Sequence, residues 1–394
     1  MNRSPVAITG IGAISALGTG VDAQLAALRE GRSGIARLQV LDLPFPDLFF
    51  GEVKETSAQL AQRAGTTADR SRTLLLAQVA AAEALAHARI TDRSALTLLS
   101  ASTVGGMDRS EAFATEWIAG GDRGLDRAAH HPVGDHALLL AHHLGVRGMV
   151  STICTACSSS ANALVLGAWL LRTGRAEVVL AGGTDALCGF TAHGFRSLSA
   201  MDMQPCRPFS NDRNGMNLGE GAAYLVLETV EHAAQRGVEP LALFAGGANT
   251  NDAHHQTATS PDGEGPYQAM SQALANAGIA PGTVDLVNAH GTGTENNDLT
   301  EQTAMERLFM HMPPFVSTKS ATGHTLAAAG ALEAVFSVLS IRHGLVPANL
   351  RFTAPIESLR STPVIAPMQR SIRTVLSTSF GFGGNDTAIV LTAS

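Results

Sequence analysis

The stretch VSTICTACSSSANAL at residues 150–164 predicts a β-strand, a turn of small residues and the start of a long helix. A second stretch, VSTKSATGHTLAAAGAL at residues 316–332, repeats that pattern. A weaker echo pairs LTLLSAS at 96–102 with DLVNAHG at 285–291. Internal repeats of this kind predict a chain built from two similar halves.

Short β-branched runs alternate with alanine-rich amphipathic runs along most of the chain, which predicts an α/β protein. The predicted strands are 6–14, 96–102, 148–153, 178–181, 222–227, 241–245, 286–289, 315–318, 374–378 and 388–391, and the predicted helices are 22–29, 70–88, 135–144, 158–172, 266–277, 298–309 and 325–342. The two halves would be residues 1–235 and 236–394, joined near the polar stretch 228–240.

Composition excludes several classes of protein. Of 394 residues, 45% are hydrophobic and 15% charged, which is typical of a globular chain with a large interior. The net charge is −7 and no block of Lys or Arg occurs, so nucleic acid and anionic membranes are not expected partners. Residues 1–18 predict a buried first strand and not a signal peptide, and Glu333 within the most apolar run argues against a membrane span. We therefore expect a cytoplasmic protein.

Cys157 is the candidate nucleophile. It follows a β run and precedes a long helix, where unpaired amide groups and the positive end of the helix dipole favour a thiolate. The alternative is a buried cysteine that acts as a small apolar side chain, and we assign Cys154 to that role. All four cysteines lie between residues 154 and 206, which is not the pattern of a disulfide framework.

Two further strand ends carry groups that could do chemistry. His290 lies in NAHGTGTENND, and Lys319 and His324 flank the turn in STKSATGHTL. Turns at the carboxyl ends of strands line the ligand crevice of α/β sheets. The alternative is a structural role, since the chain has 14 histidines.

The segment STSFGFGGND at 377–386 combines three glycines with Phe380 and Phe382. Glycines with positive φ can aim backbone amides into a site and form half of an oxyanion hole. The alternative is an ordinary turn between two buried strands.

Together these motifs, with VAITGIGAISALG from Val6, resemble the 3-oxoacyl-[acyl-carrier-protein] synthases of the elongating Cys-His-His type. The resemblance implies a thiolase fold, two similar halves in an α-β-α-β-α arrangement, and decarboxylative condensation of an acyl thioester with malonyl-carrier protein. It implies that Cys157 is the nucleophile, that His290 and His324 are the histidine pair, and that Lys319 supports the pair with Glu301 as its own partner. Thr292 and Thr294 would hold the pantetheine arm, and Val104 would line the acyl pocket. Phe382 would be the gate with Phe380 beside it, and the backbone N–H groups of Cys157 and Phe382 would form the oxyanion hole.

The resemblance also implies partners. An acidic acyl carrier protein would dock on Arg196 and Arg70, and a second subunit would be either the same chain or a chain-length-factor-like homologue. No metal and no organic cofactor is implied, because decarboxylation supplies the driving force. Asn385 and Asp386 stand beside the gate where relatives commonly have Thr and Asn, which leaves the motion of the gate open. The nucleophile motif TACSSSANA resembles modular polyketide synthases as much as housekeeping enzymes, and together these departures favour a dedicated polyene or polyketide pathway.

Other functions fit the sequence less well. A thiolase would need a second reactive cysteine near the C-terminus, but no cysteine follows Cys206. Starter-type condensing enzymes have Asn where this chain has His324, and a catalytically silent chain-length partner would lack Cys157. Ser15 takes the third glycine position of a dinucleotide motif, and the histidines at 130–143 lack metal-site spacing.

Overall fold

The computed structural model describes residues 5–121 and 124–394, so Met1–Ser4 of the predicted N-terminal segment lie outside the described residues. The strands are β1 (Val6–Ser15), β2 (Gly18–Thr19), β3 (Thr97–Ala101), β4 (Val150–Ile153), β5 (Val178–Asp185), β6 (Gly221–Thr229), β7 (Ala242–Asn251), β8 (Leu286–Asn288), β9 (Phe315–Val316), β10 (Leu345–Val346), β11 (Met368–Gln369), β12 (Thr374–Gly381) and β13 (Asn385–Thr392). The helices are α1 (Val21–Glu30), α2 (Ser57–Ala64), α3 (Arg72–His87), α4 (Met107–Ile118), α5 (Leu125–Ala129), α6 (Asp135–Leu144), α7 (Ser159–Arg172), α8 (Gly189–Ser197), α9 (Val230–Gln235), α10 (Glu264–Ala277), α11 (Glu295–Leu308), α12 (Lys319–Thr322) and α13 (Ala329–His343).

The sheet contains the same five-strand unit twice. Its order is β4-β3-β5-β6-β1-β7-β13-β12-β8-β9, with β2 on β1. Within each unit the strands are counted along the chain, without β2, β10 and β11. From the β1–β7 contact outward, both units then have the order first, fifth, fourth, second, third, and the parallel and antiparallel pairs are the same in both. The two predicted similar halves are therefore confirmed, and the predicted boundary after residue 235 falls between α9 and β7.

Two central helices, α7 and α13, lie between the five-strand units and contact strands of both. Helices α3 and α6 cover the outer face of the first unit, and α10 and α11 cover that of the second, which gives the α-β-α-β-α layers. The apolar helical segment Leu326–His343 is 83% buried in this core. A side chain at Gly330 would collide with Ala161 of α7, so this glycine lets the central helices approach closely.

Candidate active site

Cys157 lies in a tight turn between β4 and α7. Ala156 has a φ of +51°, an uncommon backbone conformation for a residue with a side chain. The turn is held by Ser159, whose Oγ donates to the Ala156 carbonyl (2.5 Å) and accepts from the Thr155 N–H (2.8 Å). Cys157 is buried, and the predicted position just before the helix is confirmed.

The electrostatic environment of Cys157 differs from the prediction. Burial raises the pKa of its thiol to about 11, although the charge of Lys319 and the backbone N–H of Phe382 act in the opposite direction. The backbone N–H of Cys157 at the helix start does lower the pKa of the thiol, in the predicted direction, but it does not set the net shift. Loss of hydration outweighs the nearby positive charge, and the resting nucleophile is a neutral thiol.

The glycine segment forms the turn of the β12–β13 hairpin and approaches the nucleophile. A side chain on Gly381 would lie 2.9 Å from the Thr155 carbonyl oxygen and 3.2 Å from the Cys157 nitrogen, so only glycine fits. Gly383 and Gly384 have φ of +82° and +75°. This backbone aims the Phe382 N–H at the Cys157 sulfur, and the Phe382 ring stacks on Phe195 with centroids 5.6 Å apart.

His290 and His324 come together from two turns of the second half of the chain, one after β8 and one after α12. Their ring centroids are 5.3 Å apart at 86°. Nδ1 of His290 lies 3.1 Å from Nζ of Lys319, and Nδ1 of His324 accepts from the Leu326 N–H at 3.3 Å. Nε2 of His324 is buried without a hydrogen-bond partner among the described residues.

Both histidines are neutral hydrogen-bond donors. Burial and the charge of Lys319 hold their pKa values well below the usual range, so the imidazoles carry one proton each at neutral pH. Because Nδ1 of each ring accepts a hydrogen bond, the proton is on Nε2. The pair can therefore donate two hydrogen bonds to one oxygen atom.

Glu333, and not Glu301, is the partner of Lys319. The Lys319 ammonium donates to the carboxylate of Glu333, which is a residue of α13. Glu301 accepts instead from the backbone N–H groups of His290 and Gly291, both at 2.8 Å, and from the Thr378 hydroxyl. Glu301 thus supports the turn that carries His290, while burial raises its pKa to about 7.

Two cavities meet at Cys157. The first, about 340 Å³, is lined by Cys157, both histidines, Thr292, Thr294, Phe380 and Phe382. The second, about 440 Å³ and mainly apolar, is lined by Cys157, Val104, Met107, Phe190, Phe195, Leu326 and Phe382. Phe382 and Cys157 line both, so Phe382 stands between them.

The remaining predicted residues take these places. The hydroxyls of Thr292 and Thr294 are 2.9 Å apart in the first cavity, and Phe380 contacts the His290 ring with centroids 5.8 Å apart. Arg196 is exposed on α8, whose residues Gly194 and Phe195 line the second cavity. Arg70 lies elsewhere, in a small polar hollow with Arg109 and His130.

Cys154 is exposed at the end of β4, which corrects the prediction that it is buried. Strand β4 is the edge of its five-strand unit and pairs only with β3 among the described strands, so its side chains are only partly covered. In the described parts of the chain no group of three His, Cys, Asp or Glu residues is arranged to hold a metal ion.

Sequence reasoning missed Glu333 as a site residue, although its carboxylate stood out in an otherwise apolar helix. That isolation was the available signal, because a buried carboxylate needs a cation or several donors. It also missed Asp185, a buried carboxylate at the end of β5.

The chain matches two family models: "Beta-ketoacyl synthase, N-terminal domain" over residues 3–233 and "Beta-ketoacyl synthase, C-terminal domain" over residues 241–353. It is 37% identical to nodulation protein E of Rhizobium meliloti (strain 1021) over 98% of both chains. It is 34% identical to the chloroplastic 3-oxoacyl-[acyl-carrier-protein] synthase II of Arabidopsis thaliana, over 98% of this chain and 75% of that protein.

Two solved structures are also similar. One is the ishigamide ketosynthase/chain length factor, with a TM-score of 0.92 and 30% identity over the whole of both chains. The other is a ketosynthase in complex with its chain length factor from Xenorhabdus doucetiae, with a TM-score of 0.85 and 28% identity over 99% of this chain and 98% of that one.

Proposed function

Because the chain belongs to the beta-ketoacyl synthase family and is a condensing enzyme of the acyltransferase class, we propose that it joins an acyl group held on Cys157 to the two-carbon unit of malonyl-carrier protein. The products are 3-oxoacyl-carrier protein and CO2. The observation that carries the proposal is that one thiol and two neutral histidines line a single cavity at the junction with an apolar cavity.

The first half-reaction loads the enzyme. The Cys157 sulfur attacks the thioester carbonyl carbon of the acyl-carrier protein, the bond between that carbon and the carrier sulfur breaks, and the thiol proton leaves on the carrier thiol. The backbone N–H groups of Cys157 and Phe382 face the sulfur and would donate to the oxyanion. Donors of this kind contribute about 3 to 4 kcal/mol each to the barrier reduction. The acyl chain then occupies the apolar cavity.

The second half-reaction forms the carbon–carbon bond. With the malonyl thioester oxygen facing Nε2–H of His290 and of His324, the bond to the carboxylate breaks and CO2 leaves an enolate that accepts both hydrogen bonds. The enolate carbon attacks the acyl carbonyl on Cys157, and the sulfur departs and regains a proton from solvent. Neutral donors suit this step, because they stabilise the developing charge without protonating the carbon.

The acyl cavity supports a dedicated polyene or polyketide pathway. Its wall includes the rings of Phe190, Phe195 and Phe382, and the last two are stacked. Flat aromatic walls favour a planar unsaturated chain over a flexible saturated one. Housekeeping fatty acid synthesis is the second candidate, because the chain also resembles the synthase II of Arabidopsis thaliana over nearly its whole length.

Two protein partners follow from the proposal. An acyl carrier protein delivers both substrates, and Arg196 on the helix beside the apolar cavity offers it a cation in a chain of net charge −7. A homologous subunit, of the chain-length-factor type found in the similar structures, would cover the free edge of β4. Exposed apolar side chains support such a partner: Trp117, Ile118, Leu125, Met149 and Phe190. The enzyme would work in the cytoplasm.

Intact mass spectrometry tests the function. The protein is incubated with carrier proteins that bear saturated, polyunsaturated or β-keto acyl groups, and the mass added at Cys157 identifies the preferred substrate. Malonyl-carrier protein is then supplied and the product thioester is identified. Loading without any condensation, with and without a co-expressed chain-length-factor-like subunit, would contradict the proposed function.

A further inference from the structure

Asp185 is a buried carboxylate that joins two parts of the site and has no part in the mechanism above. It ends β5, and its side chain lies between the loop at 102–104 and the turn that follows His324. Its oxygens accept these hydrogen bonds: from the Ser102 hydroxyl (2.6 Å), the Thr103 N–H (3.0 Å) and hydroxyl (2.6 Å), the Val104 N–H (2.9 Å) and the Ala327 N–H (2.9 Å).

The surroundings of Asp185 supply donors to both carboxylate oxygens. Burial raises the pKa of this carboxyl group overall, although the donors that face its oxygens act in the opposite direction. Three of them are backbone N–H groups, which cannot accept a proton in return. Five hydrogen bonds to one buried side chain hold the two segments together, because each donor would otherwise be left without a partner away from water.

Each segment carries one wall of the acyl cavity. Val104 lines it from the loop at 102–104, and Leu326 lines it from the turn after His324. Leu326 has a φ of +53°, an uncommon conformation that the surroundings must hold in place. Ala327 directly follows Leu326, and its N–H donates to Asp185, so Asp185 fixes the turn that contains Leu326.

The same turn sets the orientation of a candidate catalytic group. The Leu326 N–H donates to Nδ1 of His324, which keeps the proton of that ring on Nε2, and His324 lines the other cavity. One carboxylate therefore restrains two segments that line the acyl cavity and, through Leu326, the Nε2–H donor of His324.

We propose that Asp185 is a positioning residue that couples the acyl cavity to His324, so that the fit of the acyl chain against Val104 and Leu326 sets the geometry of the decarboxylation step. This rests on the proposed function. An acyl chain that moves the loop at 102–104 pulls on the carboxylate, and the carboxylate moves the turn that orients His324. Acyl-chain selectivity and decarboxylation then share one determinant.

The test compares Asp185→Asn with Thr103→Val, which removes one hydroxyl donor but keeps the carboxyl group of Asp185 and its contact with Ala327. Two quantities are measured for each: loading of Cys157 across a series of acyl-chain lengths by intact mass, and CO2 release from malonyl-carrier protein by the loaded enzyme. For Asp185→Asn we expect a changed chain-length profile and CO2 release lowered about 10- to 100-fold. For Thr103→Val we expect a changed profile with CO2 release within about 3-fold of wild type.

The outcomes separate the hypotheses. If the wild-type enzyme loads but never condenses, the proposed function fails before Asp185 is tested. If Asp185→Asn lowers loading and CO2 release by one common factor at every chain length, or changes neither, the coupling role is refuted. If Asp185→Asn does not yield folded protein, the wild-type enzyme loaded with acyl chains of different length decides, because CO2 release that does not vary with the length of the chain on Cys157 also refutes the coupling.

Discussion

Nζ of Lys319 lies 3.1 Å from Nδ1 of His290, in a position to donate to it. The ammonium has no free lone pair, so the ring nitrogen must accept and the ring proton must be on Nε2. The same ammonium pairs with buried Glu333, which compensates its charge. A cation fixed in this way both sets the tautomer of His290 and keeps the imidazole from taking up a second proton.

We expect Cys157→Ala to abolish acyl loading and condensation, since it removes the attacking sulfur. Cys157→Gln should also fail to load, but it should continue to release CO2 from malonyl-carrier protein because the histidine donors remain. Intact mass and CO2 release measure the two effects. Wild-type loading of the alanine variant would assign the nucleophile elsewhere.

His290→Ala and His324→Ala should separate the half-reactions. CO2 release should fall by about 10²-fold or more in each, because each removes one donor to the enolate oxygen. Loading of Cys157 should stay within about 10-fold of wild type, since the backbone donors to the oxyanion are untouched. A variant that loads as poorly as Cys157→Ala would show that its histidine is the base for the thiol.

A double-mutant cycle tests which carboxylate pairs with Lys319. Lys319→Met combined with Glu333→Leu should give an interaction energy of about 2 kcal/mol or more in urea unfolding, since the two side chains are buried and in contact. The matched cycle with Glu301→Leu should give a smaller interaction energy, because Glu301 is linked to Lys319 only through His290. A larger coupling to Glu301 than to Glu333 would contradict the contacts described above.

Asp386→Asn should stabilise the enzyme at alkaline pH. Asp386 is buried with one unpartnered oxygen, and burial with nearby Asp252 and Glu301 raises its pKa to about 8. The folded state thus holds a proton that the unfolded chain releases near pH 4, so this group lowers the free energy of unfolding as pH rises from about 4 to about 8. The free energy of unfolding of the variant should be at least about 1 kcal/mol higher than that of wild type at pH 9, and the difference should be smaller at pH 5.

Urea unfolding of both proteins at pH 5, 7 and 9 checks the Asp386 prediction, with Asp42→Asn, at an exposed position, as the control for charge removal in general. A difference between Asp386→Asn and wild type that does not grow with pH would disprove the raised pKa.

Arg196→Glu should raise KM for acyl-carrier protein about 5-fold or more at low salt, with little change in turnover of a small pantetheine thioester. Arg70→Glu is the matched charge reversal, and because Arg70 lies in a separate hollow, we expect its effect to be smaller. The KM ratio should shrink as salt is added. Equal losses with both substrates would show that Arg196 supports the fold and not a docking surface.

The sequence by itself determined the architecture and the reactive groups. Alternating strand and helix patterns are local properties, and the predicted helix 135–144 coincides with α6. The motifs also placed Cys157, His290 and His324 at turns after strands, which the fold brings to one cavity. Helices α4 and α5 were not predicted, and none of their described residues is buried in the core.

Only the tertiary structure decided the electrostatics of the site. The choice of Glu333 over Glu301 as the partner of Lys319 depends on where α13 and α11 pack, and the pKa of Cys157 depends on how completely the surrounding elements exclude water. The proposed role of Asp185 needs donors from two segments far apart in sequence, the loop at 102–104 and the turn at Ala327. Hydration and pairing are set by neighbours distant in sequence, so local patterns identify the groups that could react but not their charge, partner or exposure.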